Sequence, residues 1–335
     1  MSRESLAHLN TQTLIGYTSK RGQAWHYRAE QQGSEPNHYE HAVPVADVRR
    51  RLFCWSPTEA DIQAVTIDET GVATYTDRSR KAIVRPDTGA ILGIFSTGYK
   101  VHDYSQWLIE NVEAILDADL HIGSAGLLRG GAIAWVQVEM ADTLNAAGVE
   151  FRPFLTATTS LDGSIATTYQ TGAQVVVCDN TLSAALNSAD TRLKIRHSRN
   201  SLTKLAQVRD ALGIVHQVAE DFTAQVERLT NQPVTEAQWM RFLTTYCGTD
   251  DAKASKRAHT SRREQADQLN RLWTDDQRVA PWRGTAYGVL VAANTYAHHL
   301  APVRGASRAE RNAERLVTGK VYDLDNHTLQ VLAAV

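Results

Sequence analysis

The chain has 335 residues, a formal net charge of −2 and 43% hydrophobic residues, seven of them Trp, a composition that excludes a disordered protein. Cys54, Cys178 and Cys247 are far apart and odd in number, so no disulfide framework is expected and a reducing compartment fits best. Met1-Ser-Arg-Glu-Ser-Leu-Ala-His lacks the apolar stretch of a signal peptide. The longest weakly polar run, Thr285 to Ala293, is about half of the roughly 20 residues that a membrane span needs, so an intracellular protein without a membrane segment is expected.

Residues 1–45 are polar and irregular and are expected to form an N-terminal arm. Pro44 then opens a helix with Val48, Leu52 and Phe53 as its apolar stripe, and Ser56-Pro57 ends it. Three hairpins follow, each with Gly where a turn needs positive φ. They are Lys81–Arg85 with Ala90–Ser96 around Pro86-Asp87-Thr88-Gly89, Ile122–Leu128 with Ile133–Met140 around Arg129-Gly130-Gly131, and Phe154–Thr159 with Ile165–Cys178 around Leu161-Asp162-Gly163-Ser164. The arms of the third are heavy in Thr, Val and Tyr. Between the first two hairpins, Trp107, Leu108, Val112, Ile115 and Leu116 recur at helical spacing.

Antiparallel hairpins with one intervening helix define an α+β fold, because a parallel sheet would need a crossover helix between successive strands. After Thr181 the pattern is read as almost wholly helical. Leu202, Leu205, Val208, Leu212, Val215, Phe222, Val226 and Leu229 predict one helix of about 28 residues, or roughly 42 Å. Pro233-Val-Thr-Glu begins another, Gly284, Gly288 and Ala292 give a small-residue stripe, and Arg308, Arg311 and Arg315 share a helix face. The expected organisation is an arm over 1–45, a hairpin-rich α+β region with a central helix over 46–190, and a helical C-terminal region over 191–335.

Charge is concentrated after Val175-Val-Val-Cys-Asp-Asn-Thr-Leu182. From Thr191 through Arg209 there is no acidic residue, while Arg192, Lys194, Arg196, Arg199, Lys204 and Arg209 accompany His197. Such a cluster is the footprint of a phosphate-binding surface, and its bland alternative is a solvated face or a contact with an acidic protein. Arg78, Arg80 and Lys81 on the first hairpin would extend the groove, Tyr99 would stack on a base, and Asn180 would make a polar contact at its mouth. Cys178 reads as a thiol at a strand end, with Asp179 or Asn180 capping the next helix. His38-Tyr39-Glu40-His41 and His298-His299 lack zinc-site spacing, and neither a phosphate-cradling loop nor a nucleophile elbow is present. No metal, no cofactor and no catalytic residue is therefore assigned.

Several motifs together resemble the phage and plasmid-like protein family built on domain of unknown function nine-three-two. They are Trp25-His26, Gly98-Tyr99-Lys100-Val101, Cys178-Asp179-Asn180-Thr181-Leu182, Arg196-His197-Ser198, and Gly284-Thr285-Ala286-Tyr287 with His299. Tyr27-Arg28-Ala29 replaces the glycine-rich continuation usual after Trp-His, and His102-Asp103 replaces the usual Gln-Asn. The resemblance implies a gene carried by phages or plasmids and a protein of the bacterial cytoplasm. The layout is also broadly similar to single-strand annealing ring proteins, a likeness of fold alone. The expected function is single-stranded DNA binding by a homo-oligomer that promotes strand annealing in replication or recombination. The alternatives are a non-catalytic interaction protein acting on a host protein, and a nucleic-acid-processing enzyme using Asp103, Asp179 and His197.

Overall fold

A computed structural model of the chain describes residues 10–16, 27–69, 71–117, 119–175, 181–182, 192–197, 215–304, 308, 311–312, 314–315 and 320–335, with the backbone alone for 68, 173–175, 181–182, 192–195 and 215–218. Its strands are β1 (Thr13–Ile15), β2 (Thr58–Asp68), β3 (Gly71–Arg85), β4 (Ala90–Ser96), β5 (Leu120–Leu128), β6 (Ile133–Met140), β7 (Leu144–Ala146), β8 (Val149–Ser160), β9 (Thr167–Val175), β10 (Thr181–Leu182) and β11 (Arg192–Ile195). Helix α1 is Val45–Arg51, and a π-helical turn, Ser105–Ile109, runs into α2, Glu110–Glu113. The C-terminal helices are α3 (Val215–Asn231), α4 (Glu236–Cys247), α5 (Lys256–Asp275), α6 (Ala286–Thr295), continued by the π-helical turn Tyr296–Leu300, and α7 (Lys320–Ala333).

The architecture is α+β with antiparallel strands, as expected. The larger sheet runs β1-β5-β6-β8-β9, with β7 against β8, and β10 and β11 share the outer edge of β9. β2-β3-β4 form a second sheet. All three expected hairpins are present, and their turns place Gly89, Gly130, Gly131 and Gly163 at positive φ. β2, absent from the sequence reading, extends the first hairpin. Among the described side chains from Asp61 to Arg80 none is buried, so no alternation of burial marks this ribbon.

The larger sheet sorts its residues by strand parity. Ala134, Val136 and Val138 of β6, with Leu155 and Ala157 of β8, face α1 and α2, where Val48, Leu52, Trp107, Leu108 and Val112 complete one core. A fully buried leucine such as Leu108 contributes about 2 kcal/mol there. The other residues of these strands, Trp135, Gln137 and Glu139 of β6 and Arg152, Phe154, Thr156 and Thr158 of β8, make up the second face. Val149 and Phe151 instead join a second core with Phe222, Trp239, Phe242, Leu269, Trp273 and Leu290 of the C-terminal helices.

The expected helix start at Pro233-Val-Thr-Glu is a capping box between Thr235 and Gln238, and α4 ends at Gly248 with φ +62°. Gly288 lets α6 lie directly on the preceding turn, since a Cβ there would stand 2.2 Å from the Trp282 carbonyl oxygen. One expectation is corrected. The chain after Thr181 is not wholly helical, because β10 and β11 both add to β9. Leu202, Leu205, Val208 and Leu212 lie outside the described residues, which are helical from Val215 onward.

Candidate nucleic-acid interface

The basic stretch enters the described structure as an edge strand. Arg192 pairs with Gln170 and Lys194 with Thr168, and Arg196 follows the strand with an exposed side chain. Alternate strand positions recur every ~6.6 Å, which is the backbone spacing of Arg192 and Lys194 along the β9 margin. Asn180, Arg199 and Lys204 lie outside the described residues, as do Cys178 and Asp179.

His197 closes a column of rings. Phe95 stacks on Tyr99 at 3.9 Å between centroids, Tyr99 on His197 at 5.0 Å, His197 on His102 at 3.8 Å and His102 on Trp107 at 3.7 Å. Hydroxyls join the two imidazoles at the sheet surface. His102 Nδ1 shares a hydrogen bond of 2.6 Å with Thr167, Thr167 one of 2.7 Å with Thr159, and Thr159 one of 3.2 Å with His197 Nε2. Burial pushes His102 down to about 3, and the neighbouring His197 adds to the effect. His197 falls to about 4, again through burial, while the Lys100 backbone opposes the shift. Both rings are neutral at pH 7.

This column corrects the expected part of Tyr99. Both of its faces are covered, by Phe95 and by His197, so a base would have to displace one of them. Asp103 acts on its own turn, where its carboxylate accepts from the backbone N–H of Ser105 at 2.8 Å and of Gln106 at 3.3 Å and so starts the helix. Among the described residues no carboxylate bonds either imidazole of the column, so the acid–base geometry of an oriented histidine is missing there. No group of three His, Cys, Asp or Glu side chains suited to a metal occurs among the described residues.

Arg80 and Lys81 are less available than the sequence suggests. Lys81 Nζ lies 2.6 Å from Glu59 with its side chain only 12% exposed, and Arg80 Nε donates to Asp77 at 2.7 Å, whereas Arg78 is exposed. The Arg308, Arg311 and Arg315 face is structural. Arg311 donates to the carbonyls of Ala297 at 2.6 Å and Ala301 at 3.2 Å, and Arg308 to that of Ala301 at 3.1 Å, closing the C-terminal end of the α6 rod. Arg262 does the same for α4 at Gly248.

The second face of the large sheet carries a polar patch that sequence reasoning missed. Across the strands, Ser124, Gln137, Thr156, Gln170 and Arg192 stand in register, and beside them Gly126, Trp135, Thr158, Thr168 and Lys194. Gln137 Nε2 donates to Glu139 at 2.9 Å, and Arg152 lies 3.9 Å from Glu139 with its Nε donating to Thr143. Gln137 is 3% exposed, Thr156 3% and Thr158 1%, yet Gln137 Oε1 and both threonine hydroxyls find no partner among the described residues. Glycines make room for the large neighbours: a Cβ on Gly126 would meet the Trp135 ring at 2.1 Å, one on Gly172 the Phe154 ring at 2.5 Å, and one on Gly123 the Glu139 carboxyl at 2.2 Å. The signal was the alternation in Ile133-Ala-Trp-Val-Gln-Val-Glu-Met140, whose polar residues all fall on one parity.

Fold and site together define an α+β protein with a basic strand at the margin of an antiparallel sheet whose second face is polar. Residues 91–317, about two thirds of the chain, match the family described as Domain of unknown function (DUF932), and the protein belongs to that family. The matched stretch contains the ring column, the polar patch and β11, and begins after β3. No curated protein and no solved structure matches the chain. Among the described residues no helix is long and apolar enough to cross a membrane.

Proposed function

We propose that this protein binds single-stranded DNA as a homo-oligomer and promotes strand annealing in phage or plasmid replication or recombination, within the cytoplasm of a bacterial host. The observation that carries the reading is the edge strand β11, where Arg192 and Lys194 recur at strand spacing beside β9 and lead into exposed Arg196. A row of cations neutralises successive phosphates and releases counterions whatever the base sequence. The oligomeric part draws support from the β2-β3-β4 sheet, on which Val65, Ile67, Val72, Tyr75, Ile91 and Ile94 are all exposed.

The test is anisotropy of a labelled single-stranded oligonucleotide across a salt series, with particle mass measured in parallel. Affinity should fall steeply with salt, and replacing Arg192 and Arg196 with Ala should lower the log–log slope by about two. Absence of binding at low salt, or a double variant that binds like the wild type, overturns the reading.

A further inference from the structure

The polar patch on the second face has the makings of a base-binding pocket. Gln137 and Thr156 are direct cross-strand partners, and Thr158 lies two residues further along β8, opposite Trp135. Gln137 Nε2 is committed to Glu139, which fixes the amide so that Oε1 is left as an acceptor. The two threonine hydroxyls are left as donors beside it. Three polar atoms on one face, each on a residue more than nine-tenths buried, are unmatched among the described residues, and a buried polar group without a partner costs stability until something pairs with it.

Aromatic rings bound the patch along the strands. On the same face Trp135 lies two residues from Gln137 along β6, its ring packed on Gly126, and Phe154 two residues from Thr156 along β8, its ring packed on Gly172. Aromatic rings beside hydrogen-bonding groups suit a planar heterocycle. Burial also eases along the row: Thr156 is enclosed, Gln170 is half-buried, and the next position is Arg192 of β11. Thr156 and Arg192 are two strand spacings apart, ~9.6 Å, within the reach of one nucleotide from base edge to phosphate.

We infer that Gln137, Thr156 and Thr158 receive an unstacked pyrimidine base through its imide edge, thymine or uracil, while its phosphate lies at β11. An imide presents two carbonyls and one N–H, to which two hydroxyl donors and one amide acceptor answer in number and kind. The inference rests on the single-strand reading above and adds a base preference to it.

The experiment compares oligo-dT with oligo-dA of equal length on the full chain and on Gln137→Leu and Thr156→Val. The wild type should favour oligo-dT, and each variant should lose about tenfold in oligo-dT affinity with its salt slope unchanged. Thr156→Val keeps the side-chain shape, so it remains informative if Gln137→Leu fails to fold. Equal affinity for dT and dA, with variants binding like the wild type, overturns the pocket while the single-strand reading stands. If no oligonucleotide binds at low salt, the single-strand reading fails, and saturation-transfer NMR with free thymidine decides the pocket. Contact that is lost in Thr156→Val upholds it, and no contact overturns it.

Discussion

The imidazoles of His102 and His197 lie face to face, 3.8 Å between centroids and 16° from parallel. Their folded pKa values, about 3 and about 4, are below the unfolded value near 6.5, with burial the leading cause in both. The unfolded chain therefore binds more protons, and the stability at stake is complete above about pH 6.5 and drains as pH falls toward 4. Buried His298, also near 4, adds to the same trend. His102→Gln should show a shallower loss between pH 6.5 and 4, a difference on the order of a few kcal/mol, in urea unfolding at several pH values. Parallel curves for the two proteins would refute the assignment.

The two sets of cations should behave differently. Lys81 is held by Glu59 and is largely covered, while Arg196 is exposed beside the edge strand. Lys81→Ala should leave oligonucleotide affinity within about twofold, whereas Arg196→Ala should weaken it and lower the salt slope by about one. Titration of both variants over the same salt range checks this, and equal losses would move the interface toward the first hairpin.

Gly126→Ala is expected to destabilise the fold by about 2 kcal/mol, since its Cβ would fall 2.1 Å from the Trp135 ring. Urea unfolding at pH 7 measures the cost. A variant as stable as the wild type would show that the ring has room to move.

Arg311 satisfies carbonyls at the end of α6, and burial brings its pKa down to about 10. Replacing it with Met removes these charged hydrogen bonds and should cost about 2 kcal/mol with no change in oligonucleotide binding. An unchanged unfolding midpoint would count against the capping role.

The sequence reveals the three hairpins because every turn carries Gly, joined by Asp in the first and third, at positions with few conformational substitutes, and it reveals α4 through Thr235 and Gln238. It hides β11, since Arg192-Leu-Lys-Ile195 is as compatible with a charged helix as with a strand until β9 supplies a partner. It hides the ring column more completely. Phe95, Tyr99, His102, Trp107 and His197 are spread over about a hundred residues and meet only through sheet pairing and the turn at Asp103. The basic residues of 308–315 were visible as a face, but the carbonyls they cap belong to a helix end that only the fold brings there.

The ribbon formed by the far parts of β2 and β3 stands apart in the economy of this fold. None of its described side chains from Asp61 to Lys81 enters either core, and most of its strand edge is unpaired. A chain shortened there by a tight turn would keep every contact that holds the two cores. In exchange for nothing that the monomer needs, the ribbon carries the solubility burden of an open, apolar strand edge. An edge of this kind is a ready template for pairing with another strand.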